Sequence, residues 1–201
     1  MANPQSQDRA ALYDLVREER YARDHMQWDR LAACYVPDSR VTVTWFTGTA
    51  QEFADASVKQ VSGPSQGRHL IFPMDARIAG DRAVVESDAL IQVRMPKDGI
   101  ECDLESHTRV VSQARRTDLG WKLVTLDWIY LKDTLRTVNP EHRLPIDWDH
   151  IATLRPSYKF LDWLLSFSGY PINQNLAGID RPDLIEALYA EAEAYLAGSS
   201  E

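Results

Sequence analysis

HLIFPMDARIAGDRAVVESDALIQVRMPKDGIECDLESHTRVVSQARRTDLGWKLVTLDWIYL, residues 69–131, is the stretch that decides the fold. It holds four extended segments, His69–Ile78, Ala83–Met95, Glu101–Ala114 and Trp121–Leu131, rich in residue types that suit a pleated surface. Between them lie Gly80-Asp81, Pro96-Lys97-Asp98-Gly99 and Thr117-Asp118-Leu119-Gly120, residues that reverse a chain sharply. Successive strands joined by short turns predict an antiparallel, strongly curved meander.

Upstream the period changes. Residues 8–25 place Ala11, Leu12, Leu15, Val16, Tyr21 and Ala22 on one face of a helix, with Asp24 at its end facing the same way as Tyr21. A second, short helix carries Trp28, Leu31, Ala32 and Tyr35 and is expected to stop at Pro37-Asp38, because proline lacks the next helical N–H. Arg40–Phe46 alternates as a strand with Val41, Val43 and Trp45 on one side. Thr49–Val61 is helical again, with Gly63-Pro64 as its stop. Helix, helix, strand, helix and four strands make an α+β layout, helices packed on one face of a sheet.

Downstream, Pro140, Pro145, Pro156, Pro171 and Pro182 punctuate residues 132–201, with helices expected over Ser157–Phe167 and, opened by Pro182, over Arg181–Leu196. Trp148, Tyr158, Phe160, Trp163, Leu164, Leu165 and Tyr170 require burial. Residues 1–131 are therefore read as one domain. Residues 132–201 are read as an extension packed on it or on a partner subunit.

The full chain of 201 residues suits about one domain, and its 44% hydrophobic content can build a core. With 22 Lys and Arg against 30 Asp and Glu the net charge is −8, which argues against partners that present phosphates, whether nucleic acid or anionic lipid. No apolar run approaches the roughly 20 residues of a membrane span. MANPQSQDRA lacks a basic and then apolar leader, so a cytoplasmic protein is expected. Cys34 and Cys102 form no CxxC pair and have no metal-type spacing, so both are read as core fillers. Glycine-rich phosphate loops, GxSxG and HExxH are missing from the sequence, and neither a cofactor nor a metal is expected.

Among the titratable residues, Asp24 is either a solvated or capping carboxylate or a buried one, and its place near a helix C-terminus is disfavoured by the dipole. His69, at the start of the first meander strand, is either bonded to a carbonyl or available for proton transfer, the work imidazole suits near neutral pH. His25 is expected to face solvent, and His107 is a reserve candidate. His142 and His150 look superficial, and Asp88 is most simply an outward residue.

The run Tyr21-Ala22-Arg23-Asp24-His25-Met26-Gln27-Trp28-Asp29-Arg30-Leu31, then Tyr35-Val36-Pro37-Asp38-Ser39-Arg40-Val41, Glu52-Phe53, Arg68-His69 and Gly120-Trp121-Lys122, resembles the SnoaL-like group of the nuclear transport factor 2-like superfamily. Within that group it is most similar to scytalone dehydratase, over roughly residues 8–131. The resemblance implies a cone, a curved antiparallel sheet closed by the N-terminal helices around a pocket, and self-association as a dimer or trimer. It also implies that Asp24 orients His69 as the catalytic pair. Arg23, Val43, Trp45, Phe53, Ile91, Val93 and Trp128 would contact the substrate.

Three positions depart from the dehydratase pattern. Arg23 and Val43 stand where it has tyrosines, and Val93 stands near its second histidine, so scytalone itself is not the expected substrate. The resemblance then implies a cofactor-independent lyase or isomerase acting by proton transfer on a small, mostly apolar cyclic metabolite. The rival reading is a non-catalytic binding module or partner subunit of the same fold.

Overall fold

The computed structural model describes residues 4–60, 66–167 and 169–198. Three helices and two short strands come first: α1 (Pro4–Asp24), α2 (Trp28–Ala32), β1 (Tyr35–Val43), β2 (Phe46–Gly48) and α3 (Ala50–Gln60). The meander follows as β3 (Gln66–Ala79), β4 (Arg82–Lys97), β5 (Ile100–Thr117) and β6 (Gly120–Thr137). The extension supplies α4 (Trp148–Thr153), α5 (Lys159–Phe167) and α6 (Pro182–Ala197). No helix among the described residues is long and apolar enough to cross a membrane.

One six-stranded sheet runs in the order β2-β1-β6-β5-β4-β3. The meander is antiparallel as its turns predict, and register shifts between Pro73 and Asp75, His107 and Thr108, and Val111 and Ala114 bend it. The pairing of β1 with β6 is parallel, a departure from a purely antiparallel sheet. Tyr35, expected in the second helix, is the first residue of β1. Pro37 and Asp38 are exposed where the register slips between Tyr35 and Arg40, so the missing N–H of proline costs no ladder bond.

The expected single strand Arg40–Phe46 breaks at Thr44-Trp45, the two-residue connection that pairs β1 with β2 through Val43 and Phe46. No glycine or asparagine announces this turn. It is held from outside: the Thr44 N–H donates to the Tyr130 hydroxyl at 3.1 Å, and the Asn173 N–H donates to the Thr44 carbonyl at 2.9 Å. By contrast α3 starts with local chemistry. The Thr49 N–H and hydroxyl donate to the Glu52 carboxylate at 2.8 and 2.9 Å, while the Glu52 N–H donates back to the Thr49 hydroxyl. Gly63-Pro64, the expected stop of α3, lies outside the described residues.

The sheet buries both faces. Leu104, Val110, Trp128 and Tyr130 point inward to a core shared with α1, α3 and α5. Val84, Val111 and Ile129 point outward under Ala192 and Tyr195 of α6. That explains the unbroken apolar run Trp128-Ile129-Tyr130-Leu131 on β6. Helix α6 opens with Pro182 and ends at Gly198, whose φ of 78° is the left-handed conformation that glycine adopts freely. Cys34 and Cys102 are buried free thiols, Cys34 pushed up to about 12 by burial.

Strand β6 continues past Leu131, its expected end, to Thr137. Beyond β1, residues 177–179 take over the same edge of β6: the Tyr130 N–H donates to the Ala177 carbonyl and the Ile179 N–H to the Tyr130 carbonyl, both at 3.0 Å. Arg155 fixes this segment through two bonds to Asp180 and others to the carbonyls of Gln174 and Leu176. Trp148 is 62% exposed, contrary to its expected burial, whereas Tyr158, Trp163, Leu164 and Leu165 are buried. The Trp148 ring meets Phe160 edge-on, with centres 6.4 Å apart.

The N-terminus of α5 rests on Asp133 of β6, whose Oδ2 accepts the N–H groups of Phe160 and Leu161 at 2.7 and 2.8 Å. Its Oδ1 is buried without a partner among the described residues. Burial pushes this carboxyl up to about 6, against the two N–H donors that lower it. The folded state therefore holds the proton more tightly than the unfolded chain, and this group costs stability as pH rises from about 4 to about 6. Asp133→Asn keeps an acceptor oxygen. It should raise the melting temperature at pH 7 and lose that gain toward pH 4; the same shift at both pH values would contradict the assignment.

Candidate functional site

The first half of α1 turns Leu12 and Val16 inward, and the same stripe continues as Glu19, Arg20 and Arg23, all buried. Ala11 and Tyr21, assigned to the apolar face from spacing, are exposed instead, with Tyr21 stacked on the exposed His25. Asp24 does not follow Tyr21 outward; its side chain is 8% exposed. The buried charges are partnered. Arg20 donates from Nε and Nη2 to the two Glu19 oxygens, and the Tyr35 hydroxyl donates to Glu19 Oε1 at 2.8 Å. The Arg20 guanidinium also lies over the rings of Phe53 and Trp128, 5.8 and 5.7 Å from their centres.

Just beyond Asp24 the helix is closed by Met26 at φ 56°, with the Gln27 N–H donating to the Ala22 carbonyl at 2.8 Å and the Met26 N–H to Arg23 at 3.2 Å. This reversal leaves the Asp24 carboxylate facing β3. Its Oδ2 accepts the backbone N–H of His69 at 2.6 Å and its Oδ1 meets His69 Nδ1 at 2.7 Å. Both acid oxygens thus grip one residue, which offsets the unfavourable end of the helix dipole.

Burial would raise the Asp24 carboxyl, but the bonds to His69 and the nearby Arg20 charge bring it below its ordinary value. Burial pushes His69 down; Asp24 raises it in part, Arg20 and Arg23 lower it further, and it stays below the ordinary histidine value. At neutral pH the pair is therefore a carboxylate and a neutral imidazole. The carboxylate can only accept, so Nδ1 carries the proton and Nε2 keeps its lone pair.

His69 borders a cavity of about 410 Å³. Arg23 and Phe53 line it from the helices, Val43 and Trp45 from β1 and the turn after it, and Ile91, Val93 and Trp128 from the meander. Asp24 stands behind His69. His107 is paired with Leu90 and Lys132 on the opposite side of β5 from Leu104 and Ser106, and does not line the cavity. Asp88 is half exposed beside Arg109, and His142 and His150 are exposed.

Further lining residues escape sequence reasoning. Arg20 precedes Arg23 and Asp24 by three and four positions, a helical spacing that would have placed it with them. Tyr130 alternates with Trp128 on β6 and shares its face. Leu161, Leu164 and Leu165 of α5, with Tyr170, cover the cavity from the extension. No local signal marks which surface an apolar helix will cover.

The cone of sheet and helices around a pocket defines a class, and comparison with known proteins agrees. A model of the SnoaL-like domain matches residues 4–127, so the chain belongs to the SnoaL-like family. A PEP2-like protein of Fusarium vanettenii is 24% identical over 207 residues, spanning 95% of this chain and 86% of that one. Two solved structures share the fold. The Kfla4162 protein of Kribbella flavida is 18% identical with a TM-score of 0.55 and covers 62% of this chain and 90% of its own. The hexachlorocyclohexane dehydrochlorinase LinA-type3 of Novosphingobium barchaimii is 21% identical with a TM-score of 0.55, covering 71% and 97%.

Proposed function

We propose that the protein is a cofactor-independent lyase or isomerase that moves a proton on a small, mostly apolar cyclic metabolite, with His69 as base and then acid and Asp24 as the residue that positions it. The observation that carries this reading is the double grip of Asp24 on His69, which leaves a neutral Nε2 on a residue that borders the cavity. A carboxylate behind the imidazole fixes the tautomer and steadies the imidazolium formed when a proton is taken. The apolar part of the wall, Val43, Ile91, Val93 and the α5 leucines, lowers the local dielectric and strengthens that stabilisation. A dehydrochlorinase of the same fold also removes elements from a ring, which is consistent with an elimination here.

The test starts with a thermal-shift screen of a metabolite library, since a ligand of the native state raises its melting temperature. With a substrate in hand, kcat/KM should be level around pH 7 and fall on the acid side only below the ordinary histidine value of about 6.5, because His69 titrates low. Asp24→Asn removes the group that raises His69. Its acid limb should therefore move to still lower pH while the rate drops about 100-fold or more. A purely structural Asp24 would leave the limb where it was. Self-association belongs to the same reading, and a monomeric mass by light scattering would remove it.

A further inference from the structure

The charges around the cavity do not balance locally. Arg20 is spent on Glu19 through a two-pronged contact, and Asp24 is spent on His69 through both oxygens. Arg23 is left over. Its side chain is 9% exposed and lines the cavity, yet its hydrogen-bond partner among the described residues is the neutral amide oxygen of Gln60. The nearest carboxylate oxygen is Asp24 Oδ1 at 3.8 Å, the oxygen already bonded to His69. A guanidinium offers five N–H donors, and burying that charge without a counter-charge is costly. Burial and the neighbouring Arg20 pull Arg23 down to about 10, which still leaves it charged at neutral pH.

The same wall also holds an unpartnered donor. Trp128 lines the cavity, is 2% exposed, and its indole N–H has no partner among the described residues. Its ring meets His69 edge-on with centres 5.9 Å apart. Lys59 adds another cation to the lining. Donors and positive charge thus share the lining with His69, while Leu161, Leu164 and Leu165 present hydrocarbon.

We infer that the cavity is built for an organic acid: a carboxylate answers the fork of Arg23, whose partners among the described residues are a neutral amide and a carboxylate oxygen shared with His69, while an apolar ring fills the leucine-lined remainder. The planar fork of arginine matches a carboxylate with two parallel bonds, which a neutral amide or alcohol cannot reproduce. This rests on the proposed function only in taking the cavity as the substrate site. Where that reading also holds, Arg23, which lies 3.8 Å from the Asp24 oxygen that bonds His69, holds the bound carboxylate on the imidazole's side of the cavity. The proton removed then lies on a carbon close to the acid group.

The experiment compares matched ligands by calorimetry: benzoate, cinnamate and 2-naphthoate against their amides, on the intact protein at neutral pH. At least one carboxylate should bind about tenfold tighter than its amide or better. Arg23→Gln should erase the preference and Arg23→Lys should keep part of it. His69→Gln should keep it whole, since binding does not need the base. Amides binding as well as acids, no acid binding, or an undiminished preference in a folded Arg23→Gln protein would each overturn the inference. The comparison on the unaltered protein decides even if Arg23→Gln fails to fold. Turnover in His69→Gln, by contrast, would overturn the proton-transfer reading and leave the acid-binding result standing.

Discussion

His69→Ala should lower turnover by about 100- to 10,000-fold while leaving the fold intact, the range usual for losing a positioned proton-transfer group. The fold should tolerate the change because His69 sits on edge strand β3, whose ladder to β4 is made by backbone groups. The backbone N–H that Asp24 Oδ2 accepts survives in alanine. Asp24 Oδ1 loses its partner, but the variant opens space beside the cavity that water can enter. Substrate binding should change far less than turnover, because Arg23, Trp128 and the α5 leucines are untouched. The discriminating measurement is therefore the split between kcat and KM. A binding module would show ligand affinity altered by the enlarged cavity and no turnover in either protein, whereas an enzyme using another base would retain its kcat.

What could be read beforehand follows the range of the physics involved. The meander is legible because its turn residues and strand composition act over a few positions, so β3 to β5 fall close to their predicted bounds and β6 starts where expected but runs on to Thr137. The parallel pairing of β1 and the Thr44-Trp45 reversal are not, because tertiary hydrogen bonds from Tyr130 and Asn173 hold them rather than turn chemistry. On α1, charged residues are normally read as a solvated face. Arg20 and Glu19 defeat that rule by pairing with each other inside the cone. The contact between Asp24 and His69 spans 45 residues, and neither helical spacing nor strand alternation can encode it. Family resemblance, rather than residue pattern, was what linked the two positions.

The same buried pair on α1 predicts the largest loss of stability. Glu19→Ala should destabilise the protein by about 3–5 kcal/mol, the range seen when one partner of a buried ion pair is removed. Glu19 is 1% exposed and accepts three bonds, two from Arg20 and one from Tyr35. Its removal leaves the Arg20 guanidinium without its ion-pair partner and the buried Tyr35 hydroxyl without its acceptor. Against a total stability of about 5–15 kcal/mol, that is enough to unfold a marginal protein. Glu19→Gln keeps an acceptor for Tyr35 but not the charge, so it should fall between Ala and the parent. Replacing Glu19 and Arg20 together by Met and Leu should recover much of the loss, since a buried pair often yields to hydrocarbon of similar volume at little cost. Denaturant melts of the four proteins measure this directly. If the double variant were no more stable than Glu19→Ala, the loss would come from the missing side-chain volume and the Tyr35 hydroxyl rather than from an uncompensated charge.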